Sequence, residues 1–234
     1  MTNLTLRPSD ERGIGRADWL DSRFSFSFAD YHDPAHMGFR SLRVINEDRV
    51  APEGGFPTHP HRDMEIITYV MDGALAHKDS LGNGAAIRPG EIQRMSAGTG
   101  ILHSEFNPSK TDPVHLLQIW IMPKARGGAP SYAQQTIDSA SVTGKFGLIA
   151  SGNGRDGSVG IQQDADLWLA KLKKGESAEF KLRKGRGAWA QIARGDVAFE
   201  DVQLAAGDGA SWQDPGSVTL TARADSEVLL FDLA

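Results

Sequence analysis

The sequence predicts an all-β fold closed into sandwiches or barrels, and three observations carry that prediction. Short runs rich in Val, Ile, Leu, Phe and Trp recur along the whole chain, separated by Asp72-Gly73, Gly82-Asn83-Gly84, Pro89-Gly90 and Asp214-Pro215-Gly216, which are turn signals between strands. Sustained helical periodicity is scarce: a short helix is suggested only at Ser131 to Gln135 or near Asp138 to Ser141, so a mostly antiparallel sandwich or barrel is the natural closure. The chain has 234 residues, room for one large domain or two modest ones.

The apolar run Val114 to Met122 reads as a strand, and the following Lys124 to Pro130 loses all periodicity. That loss marks an inter-domain connection, so two domains are expected, residues 1–128 and 129–234. The halves carry an internal echo. Aligning Gly73 with Gly195 sets His59 and His61 opposite Lys181 and Arg183. Aligning Ser96–His103 with Ala205–Trp212 sets His103 opposite Trp212 and Glu105 opposite Asp214. A duplicated unit that kept a metal site in one half and lost it in the other accounts for all 7 histidines lying before residue 116.

Composition narrows the chemistry. With no cysteine, disulfides, thiolate zinc sites, cysteine-ligated iron–sulfur clusters and cysteine nucleophiles are excluded together. Any metal must use His, Asp or Glu. A net charge of -5 argues against nucleic acid or an anionic membrane as partner, since both need a positive footprint. The exception is Lys171 to Arg186, where seven basic residues stand against Glu176 and Glu179. They read as charges guarding an exposed edge strand, with a docking patch for an acidic protein partner as the alternative. The N-terminal MTNLTLRPSDERGIG has no apolar run of signal-peptide length, and no later stretch is apolar enough to span a bilayer, so a cytoplasmic location is expected.

Residues two apart on a strand share a face, so His59 and His61 point together, as do His103 and Glu105 in the apolar run Gly100 to Asn107. Two such pairs meeting inside a barrel supply three imidazoles and a carboxylate, a set suited to Fe(II), Mn(II), Ni(II) or Cu(II), with Zn possible. An octahedral ion on four ligands keeps two open positions, which distinguishes a reactive site from a closed structural one. His32 and His36 flank Asp33-Pro34 and read as loop residues. His77, near the hairpin tip Asp79 to Asn83, and His115, on the strand face opposite Gln118, are not assigned to metal. Gln118 is polar within an apolar strand and needs a partner; it either lines a pocket or bonds a neighbouring strand, and Trp120 on the same face is pocket or core.

These residues carry a family resemblance. Gly54, His59-x-His61, Glu65 and Gly73 look like the first cupin motif, and Gly100-x-x-His103-x-x-x-Asn107 looks like the second. The fuller runs Thr58 to Ile66, Gln93 to Glu105 and Leu117 to Ile121 closely resemble the pirin family, especially its shorter bacterial members. The resemblance is strong from Phe26 to Pro123 and weaker onward through Ile161-Gln-Gln-Asp-Ala165 to the end. It implies a bicupin: two antiparallel β-barrel or jelly-roll domains facing each other, with few short helices and Fe(II) in the N-terminal domain alone. His59, His61, His103 and Glu105 match the family's ligand positions, while Glu65 is expected beside the ligands rather than among them. The chain departs from the general cupin pattern at Gly54, one residue closer to His59 than usual, and at Gly98, where proline often stands.

The activity the resemblance implies is quercetin 2,3-dioxygenase, with flavonol and O2 as substrates and carbon monoxide released; from its carboxylate and placement, Glu105 is expected as the base that takes the hydroxyl proton. The family also resembles iron-dependent redox-sensing regulators that dock on another protein, which is the alternative. Another metal-dependent cupin isomerase or dioxygenase is a third reading, because fold does not fix function. A monomer is expected.

Overall fold

A computed structural model describes residues 3–234. In chain order the first strands are β1 (Thr5–Arg7), β2 (Gly13–Ala17), β3 (Leu20–Phe24), β4 (Leu42–Val50), β5 (Gly55–His61), β6 (Glu65–Asp72), β7 (Leu75–Asp79), β8 (Gly84–Ile87), β9 (Glu91–Ser96), β10 (Ile101–Phe106), β11 (Val114–Ile121) and β12 (Ser131–Thr136). One helical turn, α1 (Ser139–Val142), precedes β13 (Gly147–Ser151), β14 (Val159–Gly160), β15 (Ala165–Leu172), β16 (Ser177–Leu182), β17 (Gly187–Arg194), β18 (Asp196–Phe199), β19 (Val202–Ala205), β20 (Gly209–Trp212), β21 (Gly216–Ala222) and β22 (Ser226–Leu233). The all-β expectation holds. Of the two helix candidates, only the second forms, because the Asp138 side chain accepts the Ala140 N–H at 3.0 Å and caps the turn. Ser131 to Gln135 is strand, paired along its length with β9.

The chain folds as two compact units. The first, residues 13–137 with 161–163, has a seven-stranded sheet in the order β12-β9-β6-β11-β4-β3-β2 and a four-stranded sheet β5-β10-β7-β8. The second, residues 3–12, 138–160 and 164–234, has β1-β20-β17-β22-β15-β13-β14 and β16-β21-β18-β19. Adding eleven to each strand from β4 to β11 gives its counterpart from β15 to β22, with the same neighbours, so the repeat foreseen from a few glycines extends over eight strands. Each unit buries its own core, around Val50, Val70, Leu75, Ile87, Val114 and Leu116 in the first and around Phe180, Ile192, Phe199, Trp212, Leu220 and Leu230 in the second.

The units do not follow a 1–128 and 129–234 division. Residues 3–12 belong to the second unit because β1 extends its sheet beside β20, and β12 belongs to the first because it extends that sheet beside β9. Hydrogen bonding along a sheet edge outweighs nearness in sequence. Residues 124–130 are therefore not the boundary. They are held to the first unit by Lys124 N–H to the Gln162 carbonyl at 2.7 Å and Gly127 N–H to Asp63 at 2.7 Å.

The basic segment resolves toward edge protection. β16 is an edge strand whose Ser177, Glu179 and Lys181 point to solvent, and several of the cations are paired: Lys173 with Asp225, Arg186 with Asp164 and Asp232, Lys171 with Glu227. Among the described residues no helix is long and apolar enough to cross a membrane.

Candidate metal centre

The site grows out of the pairing of β5 with β10. His103 lies directly opposite His59, and Ile101 opposite His61. Two residues further along β10, Glu105 pairs with Phe56 rather than Pro57, so β5 carries one extra residue across this step. Pro57, which has no N–H to offer a ladder, sits in that bulge. Gly55 makes the closure possible: a Cβ there would stand 2.3 Å from the Glu105 carbonyl oxygen. Along β10 the alternation is strict, with Ile101, His103 and Glu105 buried and Leu102 and Phe106 exposed.

The three imidazoles converge. Ring centroids are 4.8 Å apart for His59 and His61, 4.4 Å for His59 and His103, and 4.7 Å for His61 and His103, and their ligand atoms lie within 4.8 Å of one another. His59 Nδ1 is 2.8 Å from the Pro57 carbonyl. A carbonyl only accepts, so that nitrogen carries the proton and Nε2 presents its lone pair. His59 Nε2 faces His103 Nε2 at 2.9 Å. Two metal–nitrogen bonds of about 2.1 Å place their donors about 3.0 Å apart at a right angle and about 3.4 Å apart at the tetrahedral angle. The observed separation fits neighbouring positions on an octahedral ion, so the residues present fit a divalent metal.

The protonation states agree with that fit. Burial, reinforced by the neighbouring imidazoles, pushes His103 down to about 2, and burial together with His59 pushes His61 down to about 4. Both rings are neutral at physiological pH, the form that ligates. Glu105 is pushed up to about 7 by burial, with Asp48 adding to the shift and Gln118 opposing it. Gln118 donates its amide N–H groups to both Glu105 oxygens, at 3.1 and 3.0 Å, while its carbonyl accepts from Thr68 at 3.1 Å. Thr68 thereby fixes which end of the amide faces the carboxylate. Both readings of Gln118 come together here, since it lines a pocket and is tied to a neighbouring strand. Glu105 reaches His103 and joins it in a second cluster with His77, but does not come within 4.8 Å of all three predicted histidines.

Beside the imidazoles opens a cavity of about 410 Å³, within the first unit, lined by His59, His61, Glu105 and Gln118 together with Phe24, Phe28, Tyr31, Phe56 and Trp120. Its size and apolar lining with a few polar groups are those of a small-molecule site. Trp120 packs edge-on against His61, with centroids 4.9 Å apart, so it is pocket wall. Two polar atoms in the lining, Asn46 Oδ1 and Trp120 Nε1, are buried without a partner inside the protein. Asp48 also lines the cavity, accepts from Ser22 Oγ, and is pushed up to about 6 by burial, with Ser22 opposing and Glu47 adding.

Other sequence expectations land elsewhere. Glu65 is buried and bonded to Ser96 Oγ at 2.8 Å and to the Gln162 N–H at 3.0 Å; it anchors residues 161–163 to the first unit. His115 meets Glu47 at 2.8 Å, and His36 meets Asp33 at 2.7 Å in a turn. Gly98 has φ +48°, which proline, locked near -65°, cannot adopt; that accounts for the departure from the cupin pattern. Sequence reasoning missed His77. It lies on β7 near the hairpin that leads into β8, as expected, but its side chain is fully buried, opposite Glu105 in the strand pairing and with Nδ1 3.5 Å from His103 Nδ1. Its two-residue spacing from Asp79 was the available signal.

Comparison with known proteins agrees with this architecture. The family model described as Pirin matches residues 7–121, and that described as Quercetinase C-terminal cupin domain matches residues 148–233. The chain is 47% identical over 230 residues to a protein of Escherichia coli strain K12 named quercetin 2,3-dioxygenase, covering 98% of each chain. It is 44% identical to a pirin-like protein of Caulobacter vibrioides, covering 97% of this chain and 98% of that one. The crystal structure of the bacterial pirin YhhW from Escherichia coli in complex with nickel(II) matches with a TM-score of 0.93 and 46% identity, covering 99% of both chains. The folded backbone, the duplicated barrels and both family models agree: the chain belongs to the pirin family.

Proposed function

We propose that the chain is a metal-dependent quercetin 2,3-dioxygenase that opens a flavonol ring with O2 and releases carbon monoxide, with Fe(II) held by His59, His61, His103 and Glu105. The observation that carries this reading is the 2.9 Å approach of two imidazole Nε2 atoms at the wall of a mostly apolar cavity. A divalent ion there would lower the pKa of a hydroxyl it coordinates and offer a redox partner to O2.

The chain's own residues supply the rest. Phe24, Phe28, Phe56 and Trp120 give aromatic walls for a planar polyphenol. Asn46 Oδ1 can accept from a hydroxyl and Trp120 Nε1 can donate to an oxygen, which would satisfy the two atoms the fold leaves unpaired. Glu105, the anionic member of the proposed ligand set, loosens from the ion and takes the hydroxyl proton as general base. Gln118 holds that carboxylate while it does so.

The competing regulator reading draws less support, since cations of its docking segment are already paired with acids of the same unit. We further propose a cytoplasmic monomer. Carbon monoxide released from quercetin by iron-loaded protein under O2, measured against a His59→Ala control, tests the activity. Release no greater than the control overturns it. Elemental analysis of protein purified without added metal tests the choice of iron.

A further inference from the structure

We infer that His77 and Asp79 are positioning residues that hold His103 in the one tautomer able to bind metal, through an Asp79–His77–His103 relay running along the inside of the first barrel. The inference rests on the proposed metal site. It concerns residues outside the ligand set.

The relay starts from a rigidly held carboxylate. Asp79 Oδ1 accepts the backbone N–H groups of Leu81 at 2.9 Å and Asn83 at 3.0 Å, and the Asn83 side chain donates to both carboxylate oxygens, at 3.1 and 2.9 Å. Asp79 Oδ2 stands 3.2 Å from His77 Nε2. An ionised carboxylate only accepts, so His77 Nε2 must carry a proton. A neutral imidazole has a single N–H, which leaves the His77 Nδ1 lone pair facing His103 Nδ1 at 3.5 Å. His103 Nδ1 must then be the protonated nitrogen, and Nε2 is left as the lone pair aimed at His59.

The far side of the site reaches the same state independently, through the Pro57 carbonyl on His59 Nδ1. Two lone pairs thus face each other, an arrangement only a cation relieves. Ligating histidines usually donate their second N–H to a carboxylate or carbonyl, which fixes ring orientation and raises basicity. Here a second imidazole stands in between. Tyr132 packs on His77 with ring centroids 5.0 Å apart, and the ring has no solvent-exposed side-chain surface, so water cannot substitute for it.

Nitrogen-15 NMR of the histidine rings in the metal-free full-length protein reads the tautomers directly. His103 protonated on Nδ1 and His77 on Nε2 are expected; the opposite state at either ring overturns the relay. Calorimetric titration with Ni(II) then compares wild type with His77→Leu, which removes the acceptor, and His77→Gln, whose side-chain oxygen restores it. Affinity is expected to fall by about 10- to 100-fold in the leucine variant and to recover most of the way in the glutamine variant. Equal affinities in all three, or a glutamine variant as weak as the leucine one, overturn the role. Co(II) absorption bands that differ between wild type and His77→Gln would make His77 a ligand instead and also overturn it. If wild type takes up no Ni(II), or His59→Ala binds it as well as wild type, the metal-site reading fails, a result distinct from failure of the relay.

Discussion

The two barrels share a strand order and differ in what fills the middle. In the first, β5 and β10 set His59 opposite His103. In the second, β16 and β21 set Lys181 opposite Ser217 and Glu179 opposite Thr219 with no break in register. Lys181 and Arg183 stand at the sequence positions of His59 and His61 and are exposed, and the buried Leu220, opposite Phe199 as Glu105 is opposite His77, takes the place of the carboxylate. The position four residues past the matched glycine holds His77 in one barrel and Phe199 in the other, and Phe199 packs edge-on against Trp212 at 4.9 Å. One duplicated frame thus holds an interior rich in histidine and an aromatic one. The predicted ligands, the bulge and His77 are all absent from the second barrel.

Variants can break or sharpen this contrast. The largest effect is expected from His103→Ala, which removes the most buried of the three predicted ligand imidazoles and should abolish Ni(II) uptake, a fall in affinity of more than about 100-fold by calorimetry, since losing a ligand exceeds losing its support. Phe199→Ala should do the reverse, destabilising the chain by about 3–5 kcal/mol in denaturant titration through the cavity it leaves while leaving Ni(II) affinity as in wild type.

A smaller, pH-dependent effect is expected at Asp48. Its folded pKa of about 6 lies above the ordinary value of 3.8, so folding penalises the ionised form. The penalty is fully present above pH 6, shrinks as pH falls toward 4, and vanishes below. Asp48→Asn should therefore stabilise the metal-free protein by up to about 3 kcal/mol at pH 8 and by nothing at pH 4, as melting curves across that range will show. A uniform gain at all pH values would contradict the desolvated carboxylate. The smallest effect belongs to Lys173→Ala on the second unit's exposed cation segment. Its side chain is 75% exposed, and the melting temperature should not move measurably.

Much of this was legible in the residues. Alternation along Gly100 to Asn107 placed His103 and Glu105 inward, and the turn dipeptides announced the strands, because both signals are local. Features set by pairing partners were not. The extra residue at Pro57 is visible only once Glu105 is seen opposite Phe56. The first half of the internal alignment, Gly73 with Gly195, falls on equivalent strands, β6–β7 and β17–β18. The second half slips by one strand: Trp212 lies on β20, the counterpart of β9, whereas His103 lies on β10, whose counterpart is β21. Similar Gly-x-Gly turns precede strands at several places in a duplicated β fold, so matched glycines identify a turn without saying which one. His77 escaped because a hairpin tip and a barrel interior lie two residues apart on a strand that enters one and leaves the other.

The placement of β1 sets the timetable of synthesis. The segment that carries it is made well before its partner: Asn3 bonds Asp214, 211 residues later, and β1 has no ladder to join until Gly209–Trp212 exists. Until then the nascent chain carries an orphan strand past a barrel whose own edge is taken by β12. Completion of the second sheet waits for the slowest kind of closure, one between distant segments, and a fusion placed ahead of residue 3 would burden the last barrel made rather than the first.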